Sequence, residues 1–102
     1  MAFGDGYKYD KATINANAST SAGVYALFKK DTWIYFGEAI NIRDRLVQHI
    51  DRDYKDNPDI VAEAPTGFCY ELVAGGKEAR VAVQDAHIRR NANPHLCNRK
   101  LG

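Results

Sequence analysis

The stretch Gly23-Val24-Tyr25-Ala26-Leu27-Phe28-Lys29, followed after Lys30-Asp31 by Thr32-Trp33-Ile34-Tyr35-Phe36-Gly37, decides how this chain folds. Both runs are rich in β-branched and aromatic residues, which suit a pleated, packed surface. The polar break Lys29-Lys30-Asp31 has the length of a hairpin loop, so the runs are expected to pair antiparallel. Side chains alternate along a strand, so Val24, Ala26 and Phe28 share one face, and Tyr25 and Leu27 the other. In the second run Trp33, Tyr35 and Gly37 alternate with Ile34 and Phe36. Apolar side chains on both faces predict a sheet covered on both sides.

Downstream, Asn41 to Asp51 reads as a helix. Asn41 is an N-cap with Asp44 three residues on, where a carboxylate also suits the helix dipole. Ile42, Leu46 and Ile50 recur every four residues, Val47 widens the stripe, and Arg45 and His49 stack beside it at i and i+4. Residues 51–64 read as a charged loop with a short helix after Pro58. Pro65-Thr66-Gly67 is a turn signal, Phe68 to Val73 a third strand ended by Gly75-Gly76, and Lys77 to about Asn91 a second helix. Upstream, residues 1–20 read as an irregular lead-in with one short extended piece around Gly6 to Tyr9. A single domain is expected over 21–102. The order β-β-α-(α)-β-α predicts a small α/β sandwich, with a three-stranded, mostly antiparallel sheet flanked by helices. The place of the third strand is not readable.

At 102 residues the chain has room for one core, and its formal charge is only +1. Nucleic-acid binders usually carry a basic excess, because neutralising phosphate dominates their affinity. The near-neutral balance therefore suits a transient encounter better than tight stand-alone binding. No apolar stretch approaches ~18 residues, so no membrane span is expected. The first ten residues lack the pattern of a secretory signal, which makes the cytoplasm the expected location. Cys69 and Cys97 have neither a metal nor a redox spacing and are expected to be free thiols.

Hydrolysing a phosphodiester requires a base for water, cations for the phosphoryl oxygens, and neutralisation of the leaving oxygen. Tyr25, Tyr35, Arg45 and His49 are the candidates here. Taken singly each has a bland reading: strand-core tyrosines, a solvated arginine beside Asp44, a packing histidine. Arginine fits the second task because its planar fork grips two phosphate oxygens and stays charged.

Taken together these residues resemble the signature of the GIY-YIG nuclease family, read here as Gly23-Val24-Tyr25 and Tyr35-Phe36-Gly37. The segment Gly37-Glu38-Ala39-x-Asn41-Ile42-x-x-Arg45-Leu46-x-x-His49 resembles the stretch that follows the second motif in that family. The resemblance continues through Pro65-Thr66-Gly67-Phe68, Asp85-x-x-Ile88, Asn93-Pro94 and Cys97-Asn98. It implies a metal-dependent DNA endonuclease using one divalent ion, Mg²⁺ or Mn²⁺. Tyr25 would activate water, directly or through the metal. Tyr35 would hydrogen-bond water or phosphate, Arg45 would stabilise the transition state, and His49 would assist Tyr25. Arg43 and Asn98 would contact substrate, and Gly23 and Gly37 would permit close packing beside the site.

The match departs from the family pattern at the last helix. The family's metal ligand is a glutamate nine residues before a proline, and counting back from Pro94 gives Asp85. Its carboxylate sits one methylene closer to the backbone, and octahedral Mg²⁺ leaves little slack. Asn98 falls four residues past Pro94, where the family often has three, and Glu38 stands where some members carry lysine. The alternative reading is therefore a degenerate GIY-YIG-like module that binds nucleic acid or a protein partner without cleavage. DNA is the expected partner, RNA stays open, and selectivity would come from a protein partner or a homodimer.

Overall fold

The computed structural model describes residues 6–98. Its elements are β1 (Tyr7–Lys8), α1 (Lys11–Asn17), β2 (Gly23–Lys29), β3 (Thr32–Ala39), α2 (Ile42–Asp56), α3 (Pro58–Glu63), β4 (Gly67–Leu72) and α4 (Gly76–Arg90). The strands form one antiparallel sheet in the order β1-β4-β2-β3. The hairpin forms as expected, and the third expected strand, β4, lies on the other side of β2.

The sheet has four strands, not three. The extended piece near Tyr7 pairs with Phe68 and Gly67 and becomes the far edge. The lead-in is not irregular either, because residues 11–17 form α1. Asp10 caps it, accepting from the Thr13 amide at 2.7 Å, and Ile14 anchors it in the core. One buried apolar residue in two turns leaves no period to read in the sequence. Residues 1–5 of the expected lead-in and 99–102 of the expected domain lie outside the described residues.

Helix α2 continues past the expected end at Asp51 to Asp56. Its buried row is Ile42, Leu46, His49 and Asp53, so the core-facing stripe turns polar over its second half. A hydrophobic period cannot register such a stripe. Pro58 opens α3 in the first turn, as expected.

Two cores flank the sheet. Tyr25, Leu27, Ile34 and Phe68 pack with Ile14, Ile42, Leu46 and Ile60 from α1, α2 and α3. Val24, Ala26, Phe36 and Cys69 pack on the opposite face with Ile88 of α4 and Leu96. Cys69 is a free thiol, and burial pushes it up to about 12.

Strict alternation fails in β3. Leu27 pairs with Tyr35 but Phe28 pairs with Trp33, so Ile34 is the extra residue of a β-bulge. Trp33 therefore sides with Phe36, while Ile34 and Tyr35 both face the Tyr25 core. Tyr35 reaches Tyr25's face by ordinary alternation from Gly37, and the bulge turns Trp33 onto the opposite face.

Candidate active site

Tyr25 lies in the middle of β2, directly opposite Gly37 on β3 and Tyr70 on β4. Its side chain is fully buried, at 0% exposure. A Cβ on Gly37 would collide with the Tyr25 hydroxyl and ring, so glycine there is what lets the phenol lie across β3. A Cβ on Gly23 would strike the Glu71 carbonyl and come within 2.9 Å of Ile42 Cδ1. Both glycines permit close packing.

Helix α2 supplies the partner. Its start is fixed by Asn41, whose side chain accepts from the Asp44 amide at 3.0 Å. Two turns on, His49 is 6% exposed and its Nε2 lies 2.6 Å from the Tyr25 hydroxyl. Nδ1 of the same ring is 2.8 and 2.9 Å from the two carboxylate oxygens of Asp53, which is 4% exposed. Asn57 Nδ2 donates to Asp53 Oδ1 at 2.8 Å. A carboxylate can only accept, so Nδ1 carries the hydrogen, and an Nε2 without one accepts from the Tyr25 O–H.

Tyr35 closes the cluster. Its ring meets His49 edge-on at 5.3 Å between centroids and lies 6.2 Å from Tyr25. Arg45, one turn before His49, is exposed yet near both hydroxyls. Burial holds the Tyr25 hydroxyl well above its ordinary pKa, with Tyr35 adding to the effect, while the Arg45 guanidinium pulls the other way. Burial raises Tyr35 too, again opposed by Arg45. A polar cavity of about 100 Å³ opens among Tyr35, Arg45, Gln48, His49, Asp53 and Asn57. The arrangement provides a hydrogen-bonded path for a proton away from Tyr25 and a cation beside it to meet an anion.

No protein-family model matches the sequence, and no curated protein is significantly similar to it. Solved structures do match. The GIY-YIG N-terminal endonuclease domain of UvrC from Thermotoga maritima, bound to magnesium as its catalytic divalent cation, superposes with a TM-score of 0.63 at 20% identity. That match covers 80% of this chain and 93% of that one. An asparagine-to-alanine mutant of the same domain gives a TM-score of 0.64 at 21% identity over 80% of this chain and 92% of that one. This chain has the GIY-YIG fold.

Within that fold, Tyr25, Tyr35, Arg45 and His49, the residues of the family resemblance, lie together. Three other expected site residues do not join them. The Nε of Arg43 donates to the Ala18 carbonyl at 3.0 Å, and its amide to the Ser19 carbonyl at 2.9 Å, which ties the segment before β2 to α2. Asn98, expected to touch substrate, is buried and clips the edge of β3 instead. Its Oδ1 accepts from the Phe36 amide at 2.7 Å and its Nδ2 donates to the Phe36 carbonyl at 2.8 Å.

Asp85 lies on α4, which packs against the face opposite Tyr25. Arg80 faces the sheet, donating to Glu38 at 2.9 Å, and Asp85 is about 140° further round the helix. The closest polar contact of Asp85 is the Gln84 amide at 3.5 Å. Glu38, which stands where a lysine would serve phosphate, is therefore committed to Arg80.

Asp53 and Asn57 were not singled out by sequence. The available signal was the spacing Arg45-His49-Asp53-Asn57, four residues apart throughout, which puts one side-chain row along α2 and its C-cap.

Proposed function

We propose that this chain is a nuclease that hydrolyses phosphodiester bonds in DNA. The observation that carries the reading is the 2.6 Å contact of the Tyr25 hydroxyl with His49 Nε2, buried beside Tyr35 and Arg45. An unperturbed tyrosine, with a pKa of ~10, is a poor base at neutral pH. Burial makes it poorer, so it needs a partner to take its proton. His49 is that partner. Arg45 grips the phosphoryl oxygens as charge builds, and Tyr35 orients water or phosphate through its hydroxyl. The fold match to a UvrC endonuclease domain supports this class of chemistry.

A divalent cation, Mg²⁺ or Mn²⁺, belongs to the same reading, and Asp85 is the residue that would hold it. Its carboxylate is a hard oxygen donor with no ion pair among the described residues, which suits such an ion. The described residues contain no cluster of three or more His, Cys, Asp or Glu that could hold one, so water and substrate phosphate would complete the coordination. When bound, the ion would supply positive charge for the leaving oxygen.

A second reading, a module that binds nucleic acid or a protein partner without cutting, is favoured by one observation. No hydrogen bond or ion pair joins Asp85 to the Tyr25 cluster among the described residues. Cleavage of duplex, nicked, branched and single-stranded DNA with Mg²⁺ or Mn²⁺, repeated in EDTA, separates the two. The nuclease reading expects metal-dependent cutting that falls about 10²–10⁴-fold in Tyr25→Phe. Binding without cleavage by the wild type supports the second. Any DNA binding, by either reading, should weaken as salt rises, with a slope set by the number of phosphates contacted.

A further inference from the structure

Asp53 occupies a position that stability alone would give to an apolar side chain. It ends the buried row of Ile42, Leu46 and His49 on α2. A buried ion pair seldom outperforms well-packed hydrophobic residues, because desolvating both groups is costly. Yet both oxygens of the carboxylate converge on one imidazole nitrogen, and Asn57 holds the carboxylate from behind.

We propose that Asp53 is a positioning residue that fixes His49 as the proton acceptor for Tyr25. The inference rests on the nuclease reading above and adds to it a Tyr25–His49–Asp53 relay. Asp53 accepts from Nδ1–H, which leaves the Nε2 lone pair facing the Tyr25 hydroxyl, and its charge stabilises the imidazolium that forms. The other ionisable groups around the pair are Tyr35 on β3, Arg45 and Asp56 on α2, Asp59 on α3, and Tyr9, Asp10 and Lys11 at the start of α1. None of them makes a hydrogen bond to Nδ1 among the described residues.

The proton bookkeeping closes. The Tyr25 O–H bond breaks as an N–H bond forms at Nε2. The phenolate oxygen takes a proton from water while the water oxygen bonds to phosphorus. The bond from phosphorus to the leaving oxygen breaks, its electron pair stays on that oxygen, and solvent protonates it. The imidazolium returns its proton to solvent.

Nitrogen-15 NMR of the intact protein tests the relay without any need for turnover, with His49→Gln to assign the ring. The expected spectrum has a protonated Nδ1 and an unprotonated Nε2 in the wild type. That preference should be lost in Asp53→Leu and retained in Asp53→Asn, which keeps an acceptor oxygen. In parallel, kcat for DNA cleavage should fall about 10²–10⁴-fold in Asp53→Leu with KM little changed, and less in Asp53→Asn. A wild-type ring protonated at Nε2 overturns the proposal, whether or not the leucine variant folds. So does an Asp53→Leu protein that cuts at the wild-type rate. A wild type that cuts nothing removes the nuclease reading itself, an outcome distinct from either.

Discussion

The phenol of Tyr25 fills the space that a side chain at Gly37 would need. The two residues stand directly opposite each other on β2 and β3, so a glycine in one strand sets the direction of the phenol in the next. An alanine at 37 has to push the ring toward α2 or displace β3. Gly37→Ala should therefore cost about 1–3 kcal/mol of stability, as overpacking does. It should also displace the hydroxyl from His49 and reduce cleavage beyond the loss of folded protein. Chemical denaturation beside cleavage per folded molecule checks both; normal activity in a folded variant would show that the contact does not set the geometry.

Alkaline pH should unfold this protein through its buried tyrosines. Burial raises the hydroxyls of Tyr9, Tyr25 and Tyr35, with Asp53 adding to the shift at Tyr9. Their folded pKa values lie above the unfolded ~10, so the folded state keeps its protons longer. Below pH ~10 that contribution is fully present. Above it the unfolded chain ionises first, and stability falls by up to about 1.4 kcal/mol per pH unit for each group until its folded pKa is passed. Denaturant midpoints measured from pH 8 to 12 should decline steeply past 10, and less so in Tyr25→Phe. An unchanged slope in that variant would mean that Tyr25 does not carry the effect.

Asn98 tests whether the last asparagine is a clip or a substrate contact. Its amide replaces strand pairing on the open edge of β3, where the Cys97 amide also donates to the Ile34 carbonyl at 2.7 Å. Asn98→Ala leaves the Phe36 amide and carbonyl without these partners, at about 1–3 kcal/mol. Activity should fall only with the folded fraction and return at lower temperature. A loss of kcat in fully folded protein would assign the residue to the reaction instead.

The hairpin and the capped helix were legible because each rests on local chemistry, and the Tyr25, Tyr35, Arg45 and His49 set because together it resembles a family motif. Alternation, an Asx cap and i, i+4 spacing all act within a few residues. What escaped depended on distant partners. β1 is two residues long and exists through Phe68 and Gly67. Asp53 reads as one charge in a mixed-charge run until the fold buries it against His49. The bulge at Ile34 has no marker in sequence, yet it turns Trp33 away from the face that holds Tyr25 and Tyr35. Asn98 showed the converse, since its order in the motif matched the family while its side chain serves the β3 edge.

Under the nuclease reading, Asp85 is the residue on which metal binding turns. It stands where the family resemblance puts the metal ligand, but on the flank of α4 away from the Arg80–Glu38 pair. If it holds the ion, calorimetric titration with Mg²⁺ should give binding in the wild type and none in Asp85→Ala, and cleavage should follow the same pattern. Asp85→Glu restores the missing methylene, so it should bind the ion at least as tightly and cut at least as fast. Equal Mg²⁺ affinity in wild type and Asp85→Ala would place the ligand elsewhere. A silent wild type with an active Asp85→Glu would mean that the Tyr25–His49 machinery is intact and that one methylene separates this protein from a working nuclease.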